Sequence, residues 1–167
     1  MEQLWSPWRS KYIGSFKDKD KIEECFVCHA IANPNDDNDN LLLARFEHSI
    51  VMMNKYPYNN GHLLITPIVH KGTLNDLNTD IRSEIMEVIN ISTKVIDEVY
   101  NPQGYNVGLN AGAAAGAGLP DHLHFHIVPR WRGDTNFTAV LGDYKVINES
   151  MEETRNKLKN AFTKYVP

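Results

Sequence analysis

The segment His122–Pro129 constrains the fold of this chain most strongly, because histidine alternates in it with apolar residues. Alternation at period two predicts a β-strand. Three histidines then share one face of that strand: His122, His124 and His126. Neighbouring side chains on one face of a strand lie about 6.6 Å apart. The pattern therefore predicts a row of three imidazoles along one edge of a site, with an apolar face to anchor them.

A half-buried strand that carries histidine by chance is the alternative explanation. The chain has 7 histidines in 167 residues, which makes a chance HxHxH motif about a one-per-cent event, and a motif match has to carry such an error rate. The residues before the motif, 111–118, are all glycine or alanine. Such a run has little side chain to bury, but it lets backbone N–H groups approach an anion closely. The sequence therefore favours an anion beside the imidazoles.

The glycine-rich loop matches neither of two common phosphate-binding fingerprints. It has no GxxxxGK[ST] sequence. The GxG that begins at Gly116 leads into the histidine strand, where a dinucleotide-binding fold requires a helix. Neutral histidine can attack phosphorus, and a neighbouring protonated histidine can stabilise or protonate a leaving oxygen. These residues thus indicate phosphoryl or nucleotidyl transfer through a phosphoramidate, without a carboxylate base.

Length, charge and hydropathy exclude several classes of protein. A chain of 167 residues that is 42% hydrophobic and 23% charged suits one soluble globular domain. The net charge of −4 provides no general polycation, so no nucleic-acid partner is expected. No apolar run approaches the ~20 residues of a membrane span, and the N-terminus resembles no signal peptide. We expect a cytoplasmic protein without a membrane partner.

The order of the predicted elements favours an α+β domain. Five strands are predicted: Leu41–Arg45, Ser49–Met53, His62–Thr66, Tyr105–Asn110 and the histidine strand. Apolar residues spaced by three and four predict a long helix from Asp80 to Tyr100, with Thr79 as its N-cap. A second, amphipathic helix is predicted over Glu149–Tyr165. This order is typical of a mainly antiparallel sheet covered by helix.

No linker or repeat divides the chain, so all 167 residues are interpreted as one domain. It comprises an N-terminal arm, a core and a C-terminal helical segment: residues 1–20, 21–140 and 141–167. The arm contains Trp5 and Trp8, which are costly to expose. We therefore expect the arm to pack on the body or on a second subunit, with a lid over the substrate as the alternative.

Cys25 and Cys28 form a CxxC pair that permits several interpretations. Two cysteines are too few and too close for a secreted disulfide framework. The pair supplies half of a tetrahedral zinc site and needs two more ligands. With His29 it also reads CxxCH, the attachment signature of c-type haem, and CxxC can be a redox pair or an unmetallated structural pair. Haem attachment goes with export, and we expect no export signal in this chain. Redox activity goes with a thioredoxin-like context, whereas a polar loop follows this pair. The sequence therefore favours zinc.

The run Gly104–Arg130 resembles the histidine triad (HIT) family of nucleotide hydrolases and transferases, and Gly61–His70 resembles the family's second motif. The resemblance covers about Cys25 to Phe137. Two further segments, Pro129–Phe137 and the Ser-Pro-Trp-Arg sequence at residues 6–9, are similar to those of one branch of the family. That branch contains the bacterial diadenosine tetraphosphate phosphorylases. The resemblance implies a HIT-like antiparallel sheet of about five strands and a homodimer that joins two sheets.

The resemblance also implies roles for the motif residues. His124 matches the nucleophile that takes a nucleoside monophosphate on its imidazole, and His126 matches the histidine that contacts the phosphate and aids the leaving group. His122 is the flanking member, which orients the site or binds metal. Asn54 falls where the family places an Asp or Asn on the ribose hydroxyls. His62 matches the family's buried histidine, which supports the triad.

Further substrate contacts follow from the same comparison of motifs. Asn110 falls where an asparagine often contacts the phosphate region. The loop backbone and two arginines are candidates to hold a second anion: Ala117, Gly118, Arg130 and Arg132. These arginines have solvated surface charge as the alternative, and Trp131 either shapes the pocket or packs at a subunit contact. Leu43 and Met53 of the hairpin are expected to flank the adenine.

One departure from the family concerns the second nucleophile. Many HIT hydrolases carry a glutamine four residues before the first triad histidine, and this chain carries Gly118 there. We expect inorganic phosphate rather than water to attack the intermediate, so that diadenosine tetraphosphate gives ATP and ADP. The alternatives are a HIT hydrolase of dinucleoside polyphosphates or adenosine phosphoramidates that releases AMP, and a non-catalytic nucleotide-sensing module.

The zinc-containing members of the family pair CxxC with two histidines. These match His70, at the end of the second motif, and the first triad histidine, His122. A structural zinc at this place would join the N-terminal segment to the histidine strand and add folding free energy. His29 and His48 are the alternative ligands. No organic cofactor is expected.

Overall fold

A computed structural model of the chain describes residues 25–134 and 147–166. Five strands are present in it: β1 Leu42–Arg45, β2 Ser49–Met53, β3 Leu63–Pro67, β4 Gly104–Leu109 and β5 Phe125–Arg130. Three α-helices accompany them: α1 Phe26–Ala32, α2 Thr79–Tyr100 and α3 Met151–Phe162. Short 3₁₀ turns occur at Pro34–Asp36, Leu74–Asp76 and Ala113–Ala115. The α+β class with five strands, one long helix and a C-terminal helix is confirmed.

The five strands form one antiparallel sheet in the order β1-β2-β3-β5-β4. Strand β5 therefore lies between β3 and β4, although β4 precedes it in the chain. Across this centre, His126 pairs with Leu64 on one side and with Gly108 on the other. Residues of the second motif and of the glycine-containing strand are thereby brought to the two sides of the histidine segment.

The histidine segment becomes a regular strand later than the alternation predicts. Strand β5 begins at Phe125, so His122 and His124 precede it. The backbone of Leu123 forms its hydrogen bonds outside the sheet: its N–H donates to the Lys71 carbonyl at 2.7 Å, and its carbonyl accepts from Thr66 Oγ1 at 2.8 Å. The predicted faces are nevertheless confirmed, because the apolar residues of the alternation pack in the core: Leu123, Phe125 and Ile127.

One face of the sheet is covered by α2 and α3. Buried aliphatic residues of α2 form one hydrophobic core with those of β1, β2, β3 and β5, and Leu158 and Phe162 of α3 complete this core. The N-cap of α2 is Asn78, not Thr79: its Oδ1 accepts from the backbone N–H of Ile81 at 2.9 Å. An Asn side chain one residue earlier therefore satisfies the free helix donor.

The described residues cover the opposite face only in part. Val27 and Ala30 of α1 pack against Leu42, Ile50 and Met52 from β1 and β2 and against Leu64 from β3. The β4–β5 part of this face borders an open cleft instead. Helix α1 was not predicted, because seven residues before a polar loop carry little periodicity.

The turn between β2 and β3 sets the position of the second motif. Gly61 adopts φ 71°, and a Cβ there would lie 3.3 Å from the ring of Tyr100. Only glycine meets both conditions without strain. The turn at Gly61 therefore places His62 directly before β3.

Two of the predicted segments lie wholly or partly outside the residues that the structure describes. The N-terminal arm with Trp5 and Trp8 lies outside them, as does the first part of the C-terminal segment. Within residues 25–134 and 147–166, no helix has both the length and the apolar character needed to span a bilayer.

Candidate active site and metal centre

Three histidine side chains converge beside β3 and β5. The ring centroids of His124 and His126 are 5.1 Å apart, and those of His126 and His62 are 5.2 Å apart. His62 is 1% exposed and His124 7% exposed, while His126 is half-buried. The row predicted from the alternation is therefore present, and the second-motif histidine joins it from β3.

The imidazole of His124 is oriented by a main-chain carbonyl. Its Nδ1 lies 2.9 Å from the carbonyl oxygen of His122. A carbonyl oxygen only accepts, so Nδ1 carries the proton in the neutral ring and Nε2 keeps its lone pair. The side chain therefore presents a bare, nucleophilic nitrogen.

A hydrogen-bonded chain fixes the opposite tautomer on His126. The backbone N–H of Tyr58 donates to His62 Nδ1 at 3.0 Å, so the proton of neutral His62 lies on Nε2. That Nε2–H donates to His126 Nδ1 at 3.0 Å, which places the proton of His126 on its own Nε2. Among the described residues this buried Nε2 has no hydrogen-bond partner. The Nε2–H of His126 can therefore donate a hydrogen bond to a ligand oxygen.

Burial keeps this chain of imidazoles uncharged. Desolvation, together with the neighbouring His126 and His124, lowers the pKa of His62 to about 3. Desolvation and His124 lower the pKa of His126 to about 4. At neutral pH both rings therefore stay in the tautomers that the hydrogen bonds select.

We expect the free energy of unfolding to decrease as the pH falls from about 6.5, the pKa of an unfolded histidine, toward the folded pKa of His62 at about 3. In this window the unfolded chain binds more protons than the folded chain, so the stabilisation is complete above the unfolded pKa and is lost toward the folded one. One titrating group changes the free energy of unfolding by at most about 1.4 kcal/mol per pH unit. Urea unfolding across the window should show a shallower slope for His62→Asn than for the wild type.

The exposed His29 provides the matched control for this measurement. His29→Asn removes a histidine without removing a buried one, so its slope should equal that of the wild type. Equal slopes for wild type and His62→Asn would contradict the assignment.

Asn54 and Tyr58 flank His62 on the loop between β2 and β3. Asn54 Nδ2 is 3.4 Å from His62 Nδ1, and its Oδ1 accepts from the backbone N–H of Tyr56 at 2.9 Å. The ring of Tyr58 stacks on that of His126 with centroids 5.8 Å apart and an interplanar angle of 17°. The sequence predicted Asn54 beside the site but not Tyr58; an aromatic residue four positions before the motif histidine was the available signal.

Arg130 is held at the far end of β5 by a carboxylate. Its Nε and Nη2 donate to the two oxygens of Asp134 at 2.6 and 2.9 Å, and its Nη1 donates to Asn106 Oδ1 at 2.7 Å. Asp134 also accepts from Asn59 Nδ2 at 2.9 Å and from the backbone N–H of Trp131 at 3.2 Å. The guanidinium lies on the cleft wall as one partner of a bidentate pair, an arrangement the sequence did not predict.

The glycine-rich loop lies at the surface. Gly112 and Gly116 adopt φ 81° and 87°, on either side of the Ala113–Ala115 turn. Ala117 is half-buried and Gly118 is exposed, while Asn110 lines the cleft with His126. Arg132 is exposed as well. Of these residues, only Asn110 is placed beside a histidine in the described part of the chain.

The hairpin residues proposed to flank a base do not reach the site. Leu43 is 5% exposed and Met53 4% exposed, and both pack in the core under α2. Their expected contact with adenine is therefore wrong. The residues on the histidine face of these strands are Leu42 and Met52 instead, and they contact α1.

Two cysteines and two histidines meet at the other end of the row. Cys25 Sγ is 3.3 Å from His122 Nδ1 and Cys28 Sγ is 3.1 Å from His70 Nδ1. All four donor atoms lie within 4.8 Å of one another. Zinc bonds of about 2.3 Å to sulfur and 2.0 Å to nitrogen place tetrahedral ligands at this separation. The donor set therefore fits a zinc ion.

The orientation of His122 supports the fit. Its Nε2–H donates to the Pro67 carbonyl at 2.8 Å, so Nδ1 keeps the lone pair that faces the sulfurs. Burial and the adjacent Cys25 raise the pKa of the Cys28 thiol to about 11. The alternative ligands lie elsewhere: His29 is exposed, and His48 groups with Glu47 and Glu84.

Comparison with known proteins places these motifs in a family. A family model of the HIT domain matches residues 35–133. The AP-4-A phosphorylase of Mycobacterium tuberculosis is 37% identical over 162 residues, which cover 95% of this chain and 83% of that protein.

More distant relatives share the fold with other activities. An adenosine 5'-monophosphoramidase of Schizosaccharomyces pombe is 28% identical over 121 residues, or 70% of this chain and 87% of that protein. The crystal structure of a Zn-bound histidine triad family protein from Mycobacterium smegmatis matches with a TM-score of 0.67 at 22% identity, and covers 84% of this chain and 94% of that chain. At that identity the structural likeness shows the fold alone.

Proposed function

The chain belongs to the histidine triad (HIT) family, and on that premise we propose that it cleaves dinucleoside polyphosphates such as diadenosine tetraphosphate by phosphorolysis. The observation that carries this proposal is the pair of complementary nitrogens at the site: a bare Nε2 on His124 and an N–H donor on His126. The similarity to the AP-4-A phosphorylase supports the substrate class.

His124 is the proposed nucleophile. Its Nε2 attacks the α-phosphorus, an N–P bond forms, and the P–O bond to the polyphosphate breaks, so that ATP leaves and a nucleotidyl-histidine remains. The positive charge that develops on the ring is stabilised through Nδ1–H, which donates to the His122 carbonyl. His126 Nε2–H donates to an oxygen of the phosphate or leaving group, where negative charge increases in the transition state.

The second half of the reaction regenerates the enzyme. Inorganic phosphate attacks the nucleotidyl phosphorus, the N–P bond breaks, and ADP is released from His124. Gly118 supports phosphate as this nucleophile, because glycine leaves space and an accessible N–H in the exposed loop. Ala117 of the same loop is proposed to hold the anion together with Gly118.

Arg130 and Arg132 lie at the opposite end of β5, beside Gly104 and Gln103. Asp134 and Asn106 use three of the five Arg130 donors in the described residues, and Arg130 is the proposed substrate contact at the far end of the cleft.

The transferred nucleoside is proposed to lie on the β2–β3 side. Asn54, next to His62, is the proposed ribose contact, and Asn110 is the proposed contact to the phosphates, since it lines the same cleft as His126. Trp131 is proposed to shape the pocket wall beyond Arg130.

We propose that a structural zinc ion is held by four residues: Cys25, Cys28, His70 and His122. Zinc in such a closed set supplies folding free energy and leaves no open position for substrate. The side chains of Cys25 and Cys28 hold the start of α1, and that of His122 holds the segment before β5. Catalysis by His124 and His126 needs no metal contact.

A homodimer and a cytoplasmic location complete the proposal. Strand β4 is at the edge of the sheet and exposes Val107, so its free backbone groups can pair with a second copy. Cys25 and Cys28 form no disulfide, and reduced cysteines are typical of a reducing compartment.

We expect the products to depend on phosphate. With diadenosine tetraphosphate and inorganic phosphate the enzyme should form equal amounts of ATP and ADP, because phosphate carries away the nucleotidyl group. Anion-exchange chromatography of the products, with and without phosphate, measures this directly. AMP formed at the same rate in both conditions would instead indicate the HIT hydrolase alternative, and binding of AMP with no turnover would indicate a nucleotide-sensing module.

A further inference from the structure

A buried asparagine, Asn59, anchors the loop between β2 and β3 to the end of β5. Its Nδ2 lies 2.9 Å from the Pro129 carbonyl oxygen and 2.9 Å from Asp134 Oδ2, and the residue is 7% exposed. A carbonyl and a carboxylate that already pairs with Arg130 offer only acceptors, so the amide nitrogen has to face them. Both N–H groups of the Asn59 amide therefore have a partner on another segment of the chain.

The same residue belongs to the turn that carries His62. The Asn59 carbonyl accepts from the backbone N–H of His62 at 3.2 Å. Its neighbour Tyr58 donates its own backbone N–H to His62 Nδ1 at 3.0 Å. Because Asn59 is bonded directly to Tyr58, an anchor on the Asn59 side chain fixes where the Tyr58 N–H lies relative to the His62 ring.

The Tyr58 N–H selects the tautomers of two rings, because it leaves the proton of His62 on Nε2 and, through it, that of His126 on Nε2. Without that N–H, His62 Nδ1 is free to carry the proton, and its Nε2 then accepts a hydrogen bond from His126 Nδ1. The Nε2 of His126 is bare in that arrangement. A bare nitrogen repels a phosphate oxygen, whereas an N–H stabilises it. The position of one backbone N–H therefore decides whether His126 assists the reaction.

We propose that Asn59 is a positioning residue: its side-chain amide holds the Tyr58 N–H on His62 and thereby keeps the N–H donor of His126 available to the phosphate. The catalytic consequence rests on the proposed function, whereas the tautomers of the free protein test the inference without any substrate. Asn59→Asp is the sharpest variant. It keeps the shape of the side chain, removes both donors and places a second carboxylate against Asp134, so the anchor becomes a repulsion.

Ring protonation is measured by ¹⁵N NMR of the full chain with ring-labelled histidine, since protonated and bare ring nitrogens differ widely in shift. The signals of His62 and His126 are assigned through His62→Asn and His126→Asn. In the wild type both rings should carry the proton on Nε2 at neutral pH. In Asn59→Asp, and in Asn59→Ala, each ring should show a mixture of the two tautomers.

Thr154→Val is the matched control. Thr154 is 4% exposed, and its Oγ1 donates to Glu149 Oε2 at 2.7 Å. Its replacement also removes a buried hydrogen bond, but on α3, which covers the face of the sheet that lacks the histidines. This variant should lose stability and keep the wild-type tautomers and kcat.

Kinetics with diadenosine tetraphosphate and inorganic phosphate give the second readout. In Asn59→Asp, kcat should fall by roughly tenfold to a hundredfold, the cost of moving a catalytic group by about 1 Å. The KM should change less than kcat, because the His126 donor acts mainly in the transition state. Asn59→Ala should show a smaller loss in the same direction, since it adds no carboxylate beside Asp134.

An unchanged pattern of ring protonation in a folded Asn59 variant would overturn the inference, whatever its kcat. A changed pattern with the wild-type kcat would overturn its catalytic part. If Asn59→Asp does not fold, Asn59→Ala decides, because it removes the anchor without adding charge. If the wild type turns over no dinucleotide, the proposed function fails, and the NMR spectra still decide whether Asn59 sets the tautomers.

Discussion

His124→Ala is expected to abolish phosphorolysis, with kcat lower by about 10⁴- to 10⁶-fold, the range for removal of a catalytic nucleophile. The reason is that no other imidazole nitrogen can replace it. His62 Nε2 and His126 Nε2 both carry protons in the tautomers set by the Tyr58 N–H, so neither presents a lone pair to phosphorus. Substrate binding should persist, since His126 and the cleft are unchanged.

The intermediate gives a second readout of the same variant. When wild-type enzyme is mixed with substrate without phosphate and quenched, intact-mass spectrometry should show the added mass of one nucleoside monophosphate; His124→Ala should show none. His29→Ala, at an exposed histidine of α1, is the control and should retain both turnover and adduct. An unchanged rate in His124→Ala would end the nucleophile assignment, and circular dichroism of the variant checks that its fold is intact.

The sequence predicted the faces of the histidine segment because burial and the period of a strand act together. Leu123 and Ile127 must reach the core under α2, and a shift of one residue would place the histidines in that apolar core instead. The sequence could not predict where the strand begins. That boundary depends on hydrogen bonds of Leu123 with Lys71 and Thr66, which are distant in the chain.

The errors at Leu43 and Met53 have different causes. The register between β1 and β2 shifts between Leu42 and Ala44, and one extra residue exchanges the two faces of β1, which alternation alone does not reveal. Strand β2 pairs regularly with β3, so at Met53 the strand was predicted correctly but the wrong face was chosen. Leu42 and Met52, rather than their neighbours, lie on the histidine side.

The tautomers of the site could not be predicted at all. They depend on the backbone N–H of Tyr58 and on two carbonyls, those of His122 and Pro67. Main-chain groups are the same in every residue, so their placement leaves no mark in the sequence. By contrast, the CxxC spacing and the family motifs together indicated the four residues whose donor atoms the structure brings within 4.8 Å of one another.

Loss of zinc is expected to lower both stability and activity, because His122 belongs to the metal group and to the site. Its Nδ1 faces the cysteines, its Nε2 binds Pro67, and its carbonyl orients His124. Bound zinc stabilises the fold by about 4 kcal/mol when its free concentration is about 1,000 times the Kd. For a chain of this size that energy corresponds to roughly 8–16 °C in Tm. Chelation, or Cys28→Ser, should cause a loss of this order.

Three measurements on the same samples separate the roles of His122. Elemental analysis should find one zinc ion per wild-type chain and much less in Cys28→Ser, while His29→Ala, beside the same cysteine but exposed, should keep its zinc. Calorimetry gives the change in Tm, and steady-state kinetics at a temperature where both proteins remain folded gives kcat.

A fall in Tm with unchanged kcat would show that the Pro67 carbonyl alone holds His122 and, through it, His124. A fall in kcat among folded molecules is the expected result, because without zinc only one of the two ring nitrogens of His122 has a strong partner. A chain with no zinc, full activity and an unchanged Tm would contradict the metal centre.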